Sequence, residues 1–185
     1  KDLGEAATHE IVILNTPPTT EASATATAVR SDATLQMTAT ADDYDGDDVT
    51  IEYYWTRDGE PTTIATPTVL PEYTYPGEIW VGHAVGNDGE DRGEPATVEI
   101  EVLNTPPVID DLVVNPDVDG VFTNTDLVAT VQASDADGQE VVLTYTWTVD
   151  GTEVLSGVDE TILSSSLFAK HQTVEVTVVP DDTVD

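Results

Sequence analysis

The sequence predicts an all-β chain of two tandem antiparallel β-sandwiches, and three observations predict it. Strand-length runs concentrate β-branched and aromatic residues, at residues 49–55 (VTIEYYW), 97–103 (TVEIEVL) and 173–179 (TVEVTVV). Pro and Gly clusters punctuate these runs, and no stretch carries a helical period. The chain also repeats itself: Asn15-Thr16-Pro17-Pro18 recurs as Asn104-Thr105-Pro106-Pro107, 89 residues on.

The repeat extends well beyond that tetrapeptide. Gly4-Glu5-Ala6-Ala7-Thr8 matches Gly93-Glu94-Pro95-Ala96-Thr97, and each leads into a strand-like run. Asp43-Tyr44-Asp45-Gly46, followed by Trp55 and Asp58-Gly59, matches Asp135-Ala136-Asp137-Gly138, followed by Trp147 and Asp150-Gly151. The offset there is 92, and it reaches 94 where Asn87-Asp88 meets Asp181-Asp182, so the second repeat carries small loop insertions. Each repeat of roughly 90 residues holds about seven strands with a tryptophan on the third, the dimensions of an immunoglobulin-like sandwich.

The pattern Asp-x-Asp-Gly, then alternating Val/Thr/Tyr, then Trp-Thr-x-Asp-Gly resembles the immunoglobulin-like and PKD-like tandem repeats of large bacterial and archaeal surface proteins. The resemblance covers nearly the whole chain and bears on fold more than on function. The second repeat departs from the first at Gln139, where the first has Asp47.

This register divides the chain into an orphan last strand at 1–14, a first sandwich at 15–103 and a second, incomplete one at 104–185. The second repeat stops before its seventh strand, while residues 4–14 (GEAATHEIVIL) are a seventh strand without a domain of their own. A sandwich lacking an edge strand exposes apolar side chains and unpaired backbone groups. The orphan segment has the alternation to cover them, with His9, Ile11 and Ile13 in the places of Val98, Ile100 and Val102. Val12 stands where the first repeat has Glu101, and Leu14 closes the run.

The natural donor is another copy, bound head to tail, and such a heterologous contact need not close, so it makes a filament. Covalent continuation of the parent chain as a longer array predicts the same end-to-end geometry, and both stand open at this point. A chain that begins at Lys1, with neither an initiator Met nor a signal-like apolar segment, is expected to be a processed product or an excerpt.

Charge narrows the partners. The 185 residues carry 37 Asp plus Glu against 5 Lys plus Arg, a formal net charge of -32. Nucleic acids and anionic lipid surfaces are therefore poor partners, and the scattered Lys1, Arg30, Arg57, Arg92 and Lys170 form no basic patch. No run approaches the ~20 apolar residues of a membrane span. The absence of cysteine removes thiol catalysis, zinc–thiolate clusters and disulfides.

Acidic loops between the second and third strands and between the sixth and seventh lie at one pole of such a sandwich. In the first repeat they hold Asp43, Asp45, Asp47 and Asp88; in the second, Asp135, Asp137 and Asp182, with Asp185 beyond. Converging carboxylates repel unless neutralised, and Ca²⁺ takes six to eight oxygen ligands of this kind. The Asp-x-Asp pair resembles that of calcium-rigidified cadherin-like junctions, with Asn-Thr-Pro-Pro in place of the cadherin linker motif. It is not an EF-hand, because Gly46 is misplaced and the twelfth position is Tyr54 rather than Glu. The alternative is that these are solvated turn Asp residues that cap loops and keep the surface soluble.

Other conspicuous residues favour packing roles. Trp55 and Trp147 are expected in the cores, and Trp80 is expected to fill space left by Gly82 and Ala84. His9, His83 and His171 form no ligand-spaced pair, and Ser164–Ser166 has no G-x-S-x-G context, so no catalytic function is expected. The expected role is a structural repeat of an extracellular filament or cell-surface stalk, its partners further copies of itself and its cofactor Ca²⁺. The competing role is an adhesin or carbohydrate-binding module, for which Tyr53, Tyr73 and Tyr75 are the candidate surface.

Overall fold

The computed structural model describes residues 5, 7–116 and 120–184. Lys1, Asp2, Leu3, Gly4 and Ala6 of the expected orphan strand, and Asp185 of the last acidic loop, lie outside them. The chain divides into two compact units. The first comprises the described residues up to Ala28 with Leu35–Val69 and Ile79–Glu101, and the second comprises Val29–Thr34, Leu70–Glu78 and the residues from Val102 onward.

All-β architecture is observed throughout. The first repeat forms β1 (Thr19–Ala24), β2 (Ala28–Arg30), β3 (Leu35–Asp42), β4 (Thr50–Arg57), β5 (Glu60–Pro61), β6 (Thr68–Val69), β7 (Ile79–Asn87) and β8 (Ala96–Leu103). One sheet has the order β1-β3-β6 and the other β2-β8-β7-β4-β5. The chain leaves the first sheet after Ala24 and joins the second at Ala28, so the expected first strand is split and Trp55 lies on the fourth labelled strand.

The core of the first repeat follows from the period-two alternation of its strands. Leu35, Met37 and Val69 on the smaller sheet, and Trp55, Trp80, Ala84, Val98 and Ile100 on the larger, are all buried. Trp55 and Trp80 meet edge to face with centroids 6.4 Å apart, and the Trp55 indole N–H donates to the Thr66 carbonyl at 2.8 Å. Trp55 pairs directly opposite Gly82. A Cβ at Gly82 would lie 2.8 Å from Trp55 ring carbons and 2.7 Å from Met37 Sδ, so Trp55 and Met37 press closest into the space glycine leaves. At Gly93 a Cβ would collide with the Pro18 carbonyl oxygen.

The second repeat forms β9 (Val108–Asn115), β10 (Leu127–Ser134), β11 (Val142–Val149), β12 (Thr152–Val158), β13 (Ile162–Leu163) and β14 (Val174–Asp181). Its sheets have the orders β13-β10-β9 and β12-β11-β14. Leu127, Ala129, Tyr145, Trp147 and Leu163 form the buried centre, and Trp147 repeats the indole bond of Trp55 by donating to the Glu160 carbonyl at 2.8 Å. The β4–β5 and β11–β12 hairpins turn at Asp58-Gly59 and Asp150-Gly151, all four residues having positive φ, as two-residue hairpin loops demand. Each turn aspartate is clamped: Ile79 N–H donates to Asp58 Oδ1, and Thr173 N–H to Asp150 Oδ1, both at 2.9 Å.

The repeats differ at one edge. β7 sits between β4 and β8, whereas among the described residues its counterpart β14 pairs only with β11. Accordingly Val174, Val176 and Val178 are only half-buried, where Trp80, Gly82 and Ala84 are buried. Among the described residues, 7–18 form no strand within this single chain, where the orphan strand of 1–14 is expected to pair with a separate domain. The alternation is there, but an extended segment without a ladder partner is not a strand, and Ile11, Val12, Ile13 and Leu14 remain 71, 71, 87 and 78% exposed. Among the described residues no helix is long and apolar enough to cross a membrane.

Candidate functional site

Each repeat builds its acidic pole in the same way. In the loop after β3, Asp43 Oδ1 accepts from the N–H groups of Asp45 at 2.8 Å and Asp47 at 3.2 Å, and Gly46 supplies the positive φ that turns the loop. In the loop after β10, Asp135 Oδ1 accepts from Asp137 N–H at 2.8 Å and Gln139 N–H at 3.1 Å, with Gly138 in the same conformation. Asp45 then accepts from the Thr16 N–H at 2.8 Å, and Asp137 from the Thr105 N–H at 2.9 Å.

The loop after β7 or β14 is tied to the same tetrapeptide. Asn15 Nδ2 donates to Asp88 at 2.9 Å and to Asp91 at 3.0 Å, while Asn104 Nδ2 donates to Asp182 at 2.7 Å. These bonds hold the Asp88 and Asp182 carboxyls below the usual carboxylate range, the asparagine amide being the largest cause in both, followed by the backbone N–H of Asp91 or of Val184. Asp182 is buried. Within the second unit the Thr105 hydroxyl also shares a buried 2.7 Å hydrogen bond with Ser31.

The sequence reading identified the aspartates but missed Asn15, Thr16, Asn104 and Thr105 as their partners. The signal was present, because Asn-Thr-Pro-Pro was the most conspicuous repeated element; it was read as a linker rather than as half of the site.

Four buried oxygens have no hydrogen-bond partner among the described residues: Asp43 Oδ2 in the first pole, and Asp135 Oδ2, Asn104 Oδ1 and Gln139 Oε1 in the second. A buried acceptor without a donor costs free energy, and all four are hard oxygens of the kind that coordinate calcium. No group of three or more His, Cys, Asp or Glu side chains converges as a metal centre among the described residues. The unsatisfied set in the second pole is instead mixed, one carboxylate and two amides, and Gln139 belongs to it although it breaks the acidic pattern. Asp47 gives its N–H to Asp43 and leaves its side chain exposed.

Tyr73 and Tyr75 are exposed, Tyr53 is half-buried, and no ring contact links them among the described residues. The outer-face stack is Tyr54 on His83, centroids 4.3 Å apart, where burial pushes the imidazole down. No protein-family model matches the chain, and no curated protein is similar to it.

Proposed function

We propose that this chain is a structural repeat subunit of an extracellular filament or cell-surface stalk. Copies, each of two immunoglobulin-like sandwiches, join head to tail by β-strand complementation and are stiffened by Ca²⁺ at the acidic poles. One observation carries this reading: among the described residues β14 has an open edge, while residues 9–14, the sequence equivalents of the strand that covers that edge in the first repeat, join no ladder. Acidity keeps neighbouring fibres apart, and proline in each Asn-Thr-Pro-Pro segment limits flexing by fixing its own φ and restraining its neighbour. The role is mechanical rather than catalytic.

Calcium is supported by the unsatisfied oxygens of Asp135, Asn104 and Gln139, with Asp43 the counterpart in the first pole. Asp45, Asp137, Asp88 and Asp182 each commit an oxygen to the Asn-Thr segment and add negative charge around the site. The adhesin or carbohydrate-binding reading draws only on the exposed Tyr73 and Tyr75.

Electron microscopy and size-exclusion of the full chain beside one lacking residues 1–14 test the filament. Filaments or concentration-dependent oligomers from the first and monomers from the second support it. Monomers from both overturn it in favour of a window of a covalent array.

A further inference from the structure

Strand complementation leaves open how the incoming strand is seated, and the repeat supplies the register; the inference rests on that reading of the function. In the first repeat Trp80 pairs with Ile100, Val81 with Glu99 and Gly82 with Val98. Gly82 and Val176 stand opposite the equivalent tryptophans Trp55 and Trp147, so Trp80, Val81 and Gly82 correspond to Val174, Glu175 and Val176. The 89-residue offset makes His9, Glu10 and Ile11 the counterparts of Val98, Glu99 and Ile100. We propose that residues 7–13 of a second copy add to β14 in this register, with Ile11 beside Val174, His9 beside Val176 and Glu10 beside Glu175, and that the last pair makes assembly depend on ionic strength.

The acceptor has room for the donor. A cavity of about 510 Å³ opens beside the start of β14, lined by Val114, Val121, Leu127, Phe168 and Val174 together with polar residues of the 170–173 turn. Trp80 fills the place of Val174 in the first repeat, so the smaller side chain leaves space there. Ile13 is the counterpart of Val102, which is fully buried, and Ile13 is the larger of the two. The most exposed large hydrophobic of the donor segment thus corresponds to a core position, and the acceptor offers an opening of mixed apolar and polar lining at that end of the strand.

The outer face carries the opposing term. Where the first repeat sets Glu99 against Val81, the proposed junction sets Glu10 against Glu175, and like charges directly opposite across an antiparallel pair destabilise it. Glu175 pairs on its other side with Thr148, and Thr148 pairs with Glu153, so this row offers no cation to neutralise it. Salt screens exposed charges of this kind, so the junction tightens as ionic strength rises.

Charge reversal tests the pairing in the full chain at low salt, by sedimentation of Glu10→Lys, Glu175→Lys and the double variant. Both positions are exposed, so the variants retain the fold. Each single reversal is expected to tighten association about tenfold and to flatten its salt dependence, and the double reversal to return to wild-type behaviour. A double variant that associates more tightly than either single one overturns the pairing, since net charge alone then governs. The register is read independently in this cysteine-free chain: Glu10→Cys with Glu175→Cys is expected to oxidise into covalent multimers, and Glu10→Cys with Thr177→Cys is not. Multimers only from the shifted pair refute the register while preserving complementation, whereas association that survives removal of residues 1–14 brings down complementation itself.

Discussion

Asn104 donates to Asp182 at 2.7 Å, binding the segment that enters the second repeat to the loop that follows its last described strand. Asn15 and Asp88 stand in the same relation in the first repeat. Because these bonds favour the ionised carboxyl, they link stability to pH.

The folded pKa of Asp182 is depressed, chiefly by Asn104 and then by the Val184 N–H. Its contribution is therefore complete above the unfolded value of about 3.9 and is lost as pH falls through the folded value. Melting followed from pH 7 to pH 2 is expected to show the second repeat losing stability on the acid side, with a shallower loss in Asp182→Asn. Parallel profiles for the two proteins would contradict this.

Calcium is expected to raise the melting midpoint, by about 2.7 kcal/mol of stability at a concentration a hundred times its dissociation constant. Asp135→Asn and Gln139→Ala are expected to abolish most of the rise in the second repeat while leaving the chelated protein nearly unchanged. Calorimetry in calcium and in chelator decides it; an unchanged midpoint removes calcium from the account.

Trp55→Phe and Trp147→Phe keep most of the aromatic surface and orphan the carbonyls of Thr66 and Glu160. Each is expected to cost about 1–3 kcal/mol, against about 3–5 for replacement by alanine. Denaturant midpoints at constant slope measure the difference, and a phenylalanine variant as stable as wild type would deny the indole bond its role.

Gly93→Ala is expected to destabilise the first repeat by about 1–3 kcal/mol, because the added methyl meets the Pro18 carbonyl and the backbone must move. The same change at Gly120, where an added Cβ meets nothing, is the control. Equal midpoints for the two variants would argue that the Pro18 segment yields freely.

Much of the fold was legible because the repeat fixed equivalences before any contact was known. Trp55 and Trp147 took the core positions their spacing implied. What the sequence hid was directional. Asp45 and Asp137 accept from backbone N–H groups of Thr16 and Thr105, and backbone donors leave no trace in residue type. The space above Gly82 was assigned to a neighbour on the same strand, although the side chain that enters it, Trp55, comes from the paired one. Gln139 looked like a lapse in an acidic motif because only charge was counted, while its amide oxygen is one of the buried acceptors.

Aspartate followed by glycine is prone to cyclise and rearrange to isoaspartate, since a following glycine leaves its amide nitrogen free to attack the aspartate's side-chain carboxyl carbon. Among the described residues Asp45, Asp58, Asp88, Asp137 and Asp150 precede glycine, and every one of their carboxylates accepts a hydrogen bond from elsewhere in the chain. The contacts that shape the poles and hairpins thus also restrict the side-chain rotation that such an attack requires. The hydrogen bonds that shape the poles and hairpins therefore bear on covalent durability as well as on folding.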